Sequence, residues 1–256
     1  MKKIWELKQA AQPNAVDMFI YGDVEGDGYD WWTEETIESE TSANHFRNEL
    51  AKFPDAQQIN IYINSYGGSV FEGTAIYNQL KRHPAQKVVY VDGFACSVAA
   101  TIAMAGDKIV MPHNAMMMIH NAWTIAAGNS ADLRKAADDL EAINKGNRQA
   151  YLQKAGEKIT EEQLIKLLDA ETWLTAEDCI KYGLADEYAE QDADMENAQK
   201  LLQKVNRTLE QRISYNKAIA AQLRQLTDDG KQKEPVPPAE PKQMNMKSFL
   251  EGFKTF

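Results

Sequence analysis

Cysteine and histidine are scarce. The 256 residues hold two cysteines and four histidines; two cysteines are too few for a disulfide framework, and Cys96 and Cys179 are not at metal-ligand spacing. Basic residues are also in deficit: 28 Lys and Arg against 38 Asp and Glu give a net charge of −10. That balance argues against a nucleic-acid partner or an anionic membrane surface, which would call for a basic face. No apolar run approaches membrane-spanning length, and the start, Met1-Lys2-Lys3-Ile4-Trp5-Glu6, has charge without the apolar core of a signal peptide. The expectation is a soluble cytoplasmic protein. A 44% hydrophobic fraction suffices for one α/β domain plus an appendage.

What is present centres on Lys87–Ala105. Val88–Val91 reads as a buried strand ended by Asp92-Gly93, and Val98–Ala105 as a small-residue helix stopped by Gly106-Asp107. Ser97 stands at the junction. A serine there is either a helix N-cap or a nucleophile whose Oγ is fixed by the backbone beside free helix N–H groups. Upstream, residues 1 to about 15 give no firm assignment. Asp17–Gly22 reads as a strand, and Asp23–Glu34 as an acidic, glycine-bearing loop without calcium-loop spacing. Thr41–Phe53 is helical, with Phe46, Leu50 and Phe53 on one face. Ile59–Asn64 alternates as a strand, and Ser65-Tyr66-Gly67-Gly68-Ser69 turns into a helix over Phe71–His83. The Gly67-Gly68 amides are candidate oxyanion donors.

Downstream, Lys108–Met111 and Ala115–Ile119 read as short strands, the second ending at His120. A histidine at a strand's C-terminal end is a candidate general base. The strand–turn–helix unit has then occurred twice, which predicts stacked β-β-α units with right-handed crossovers. A charged helix runs from Asn129 or Ser130 to about Ala155, roughly 35–40 Å long at 1.5 Å per residue, and is expected to project. A helix over Thr160–Asp169, a short strand at Trp173 and a helix capped at Thr175 follow. Residues 191–228 read as an amphipathic helix and 229–256 as a Pro-rich linker and tail.

At this point four motifs coincide: Asn64-Ser65-Tyr66-Gly67-Gly68-Ser69-Val70, Gly93-Phe94-Ala95-Cys96-Ser97-Val98-Ala99-Ala100, Met118-Ile119-His120-Asn121, and Trp173-Leu174-Thr175-Ala176 with Tyr182-Gly183-Leu184. In this order they resemble the proteolytic subunit of the Clp protease, the ClpP family, over roughly residues 17–190. The resemblance implies an α/β, ClpP/crotonase-like fold with a long projecting helix, here with a C-terminal helical extension. It implies a serine endopeptidase without metal or other cofactor, with Ser97 as nucleophile, His120 as general base, and the Gly68 and Val98 amides as oxyanion hole. For the third member the best match is Asp169, about two residues nearer the aromatic than the family places it; Glu171 is the alternative. The family's turn proline is Tyr66 here. That departure and the extra C-terminal residues resemble phage and prophage ClpP-like head-maturation proteases.

The expected organisation is an N-terminal segment 1–16, the protease domain 17–190, the amphipathic helix 191–228 and the tail 229–256. Partners implied by the resemblance are a protein or peptide substrate, further copies in heptameric rings that stack, and either an AAA+ unfoldase or capsid and scaffold proteins. Three rival readings stand beside it. One is a crotonase-type acyl-CoA enzyme, one a serine–lysine protease using Lys108, and one a catalytically silent assembly protein.

Overall fold

The computed structural model describes residues 5–11 and 14–190. The expected amphipathic helix and tail lie outside the described residues.

Alternating β-branched and aromatic residues build the centre. Strands β1 (Trp5–Gln9), β2 (Ala15–Val24), β5 (Gln58–Gly68) and β6 (Gln86–Cys96) lie side by side, followed by β7 (Lys108–Met111) and β10 (Glu187–Tyr188). β1 pairs antiparallel with β2; the rest of this row is parallel. Ile59, Ile61 and Ile63 are fully buried on one face, each contributing about 1.5–3 kcal/mol relative to exposure. Helices α2 (Val70–Arg82) and α3 (Val98–Ala103) pack on that face, with α1 (Ala43–Leu50) against α2. On the opposite face Phe19, Tyr62 and Tyr90 stack in a row at 4.9 and 5.1 Å between centroids.

The strand at Val88–Val91 does not stop at Asp92-Gly93; it continues to Cys96. The reason is a change of partner. Its first half pairs with β7, Val88 opposite Lys108, and its second half with β8 (Met116–Ile119), Cys96 opposite Met118. β8 in turn pairs antiparallel with β9 (Thr172–Thr175), so the sheet branches where β6 leaves β7. The acidic loop after Gly22 also has structure: β3 (Gly28–Asp30) and β4 (Glu35–Ile37) form a separate hairpin. Residues left unassigned near the N-terminus supply β1.

Helix α4 (Ser130–Ala155) begins in a capping box between Asn129 and Asp132. At 26 residues it is roughly 39 Å long. Its buried residues, Asn144, Arg148, Ala150, Tyr151 and Ala155, all fall in the C-terminal half, so the N-terminal half projects as expected. Helices α5 (Glu161–Asp169) and α6 (Ala176–Lys181) flank β9, each with a threonine capping box.

Candidate active site

Parallel pairing of β6 and β8 brings two strand ends to one place. Cys96 lies opposite Met118, and the Ser97 N–H donates to Met118 O at 2.7 Å. Ser97 therefore leaves the sheet beside His120, two residues beyond Met118. The two side chains meet, with His120 Nε2 2.8 Å from Ser97 Oγ. The serine hydroxyl does not cap α3, so the capping alternative is not adopted. Its backbone is held at φ +55° and ψ −130°, a region that costs an L-residue of order 1–3 kcal/mol.

The Gly67-Gly68 turn closes over this pair. Both glycines have positive φ, +95° and +142°. A Cβ on Gly67 would stand 2.7 Å from Ser97 Cβ and 3.1 Å from the Val98 nitrogen, so main chain touches the serine there. A Cβ on Gly68 would strike Val24 O at 2.2 Å. Val98 opens α3, where the first N–H groups have no intrahelical acceptor. Two polar side chains not given roles from sequence brace the turn. Ser65 Oγ donates to Gly22 O at 2.5 Å and accepts from Gly67 N at 3.0 Å, while Asn64 Oδ1 accepts from Phe94 N at 3.2 Å. Both are buried.

Burial is the main influence on His120 and holds its pKa below the usual histidine value, while the Glu171 carboxylate and a hydrogen bond with the Asn121 main chain act the other way. At neutral pH the imidazole is thus uncharged, the form that can take a proton. The β8–β9 register, Ile119 opposite Thr172, brings Glu171 alongside His120. Asp169 is placed differently. Its Oδ1 accepts from Asn121 Nδ2 at 2.7 Å, and both carboxylates are exposed. No hydrogen bond among the described residues joins either carboxylate to the ring.

Neighbouring groups narrow the chemistry. Cys96, next to the serine, is buried, and burial pushes its thiol up to about 12, away from nucleophilic use. Lys108 pairs with Val88 at the opposite end of β6 and is bonded to Glu187 at 2.5 Å. Nine strand residues, roughly 30 Å at 3.3 Å each, separate that register position from Ser97, so Lys108 does not serve it. Among the described residues no three His, Cys, Asp or Glu gather as metal ligands. No described helix is long and apolar enough to cross a membrane.

Comparison with known proteins gives a consistent assignment. The family described as Clp protease matches residues 34–192. The chain is similar to the ATP-dependent Clp protease proteolytic subunit 3 of Rhodococcus jostii, at 31% identity over 140 residues, 54% of this chain and 68% of the relative. It is similar to proteolytic subunit 2 of Corynebacterium glutamicum at 34% over 133 residues, 51% and 65% of the two chains. Proteolytic subunit 1 of Streptomyces avermitilis shows 33% over 135 residues, 52% and 61%. The matched part spans about two thirds of each relative's length. By the extent of that family match, the chain belongs to the Clp protease family.

Proposed function

We propose that the protein is a serine endopeptidase that cleaves peptide bonds through an acyl-enzyme on Ser97. The observation that carries this is the 2.8 Å approach of His120 Nε2 to Ser97 Oγ, at a histidine kept neutral by burial. His120 takes the hydroxyl proton as Oγ attacks the carbonyl. The Gly68 and Val98 amides receive the negative charge of the tetrahedral intermediate, and His120 then returns the proton to the leaving amine. Water enters by the reverse route and frees the acid. Of the two candidates for the third member, Glu171 is the carboxylate whose charge favours the protonated imidazole, while Asp169 is bonded to Asn121. The chemistry calls on no cofactor.

A peptide substrate suits the surroundings. Phe71 is 72% exposed just beyond the glycine turn, and Trp123 and Ile125 are 68% and 70% exposed just beyond His120, apolar side chains on both segments that follow the reacting groups. Family membership supports a protein substrate and a ring of like subunits, and the relatives' names support an ATP-dependent partner. The narrower reading as a phage head-maturation protease rests on Tyr66 and on the residues beyond the family match. Turnover of casein and of short fluorogenic peptides by the purified chain, absent in Ser97→Ala, is the expected result. Equal turnover in Ser97→Ala would reject the reading.

A further inference from the structure

The segment around His120 is tied to three separate elements, twice through its main chain and once through a side chain. Before it, Met118 O accepts the Ser97 N–H at 2.7 Å. After it, the Ala122 N–H donates to Asn144 Oδ1 at 2.7 Å, from a side chain 7% exposed on α4. Between them Asn121 Nδ2 donates to Asp169 Oδ1 at 2.7 Å, at the last residue of α5. Residues 118–122 are thus bonded to the start of α3, the middle of α4 and the end of α5. The imidazole hangs on only two rotatable bonds from the centre of this clamp. Displacing its main chain by about 1 Å would break the contact with Ser97 Oγ, and misplacement of that size costs on the order of a hundredfold in rate.

Asp169 holds the amide of the residue next to the histidine. A carboxylate that orients a base usually does so by accepting from its ring; here the same pull arrives one residue later.

We propose that Asn121 is a positioning residue, and that Asp169 acts on His120 through the Asn121 amide and not through the imidazole. Asn144 is the second arm of the same clamp. The proposal rests on the reading of Ser97 and His120 as the reacting pair.

The test is the rate at which a fluorophosphonate acylates Ser97 in the full-length protein, with melting temperature recorded for every variant. Asn121→Leu and Asp169→Ala are each expected to slow acylation about ten- to a hundredfold. Combined, they should be no slower than the worse of the two, because both break one bond. Asn121→Asp sets two carboxylates against each other and should be slow. Adding Asp169→Asn to it rebuilds the bond with donor and acceptor exchanged, and should restore the rate to within a few-fold of wild type. The pH at which acylation is half-maximal should stay put in Asp169→Ala, since position and not charge is lost. Asp169 is exposed, so its variants keep the test available if Asn121→Leu fails to fold. A slow Asp169→Ala beside a fast, folded Asn121→Leu would overturn the proposal, as would failure of the exchanged pair to recover. Wild-type protein that takes no label at Ser97 would instead defeat the underlying assignment of the reacting pair.

Discussion

Ser97 occupies a backbone conformation that suits glycine better than serine, and that strain holds its hydroxyl toward His120. Replacing it should therefore separate stability from activity. Ser97→Gly and Ser97→Ala both lose acylation, but Ser97→Gly should be the more stable of the two by about 1 kcal/mol in denaturant melts. Equal stability would mean the strain is not borne at this residue. His120 makes a pH prediction. Burial lowers its pKa and so favours the neutral form, so acylation should rise with pH through a midpoint below the ordinary histidine value and level off by neutrality. Glu171 pulls that pKa upward; Glu171→Gln should move the midpoint to still lower pH, read from the same rate–pH curve. Ser97 and His120 were legible in the sequence because each ends an apolar run. Glu171 was legible only as the alternative to Asp169, and the parts played by Asn121 and Asn144 were not legible, because they depend on side-chain contacts with α5 and α4 that no local pattern encodes.

At the scale of elements, β6 sets the geometry by changing partners halfway. The sequence pointed to an end at Asp92-Gly93, since that pair is a strong turn signal. Pairing of Phe94–Cys96 with Met116–Met118 overrides it and carries the strand to the serine. The glycine turn at the end of β5 depends on the same alignment. Gly67→Ala would put a methyl 2.7 Å from both Ser97 Cβ and Cys96 O. It should cost about 1–3 kcal/mol of stability and at least a hundredfold in acylation rate; a variant near wild type in both would place the turn away from the serine. The helix starts were readable to within a residue or two, because Ser42, Asn129, Thr160 and Thr175 each cap one with a side-chain bond; the first helix ends at Leu50, three residues short of the expected Phe53. The short β3–β4 hairpin and β1 were not, since polar strands lack the alternation that marks buried ones.

For the whole molecule, the family match makes assembly part of the account. The projecting half of α4 carries Leu133 at 43% exposure, an apolar side chain on the part of the helix that leaves the core. Sedimentation of the full-length protein should show a ring-sized species, and Leu133→Glu should shift it toward smaller particles; a wild-type monomer at micromolar concentration would contradict this. In the proposed mechanism, activity depends first on the reacting pair. The most direct measurement is to treat the purified protein with a fluorophosphonate and locate the adduct by mass spectrometry, with His120→Ala in parallel. The account predicts one adduct, on Ser97, that is lost in His120→Ala. An adduct elsewhere, or one on Ser97 that forms as fast without His120, would contradict it.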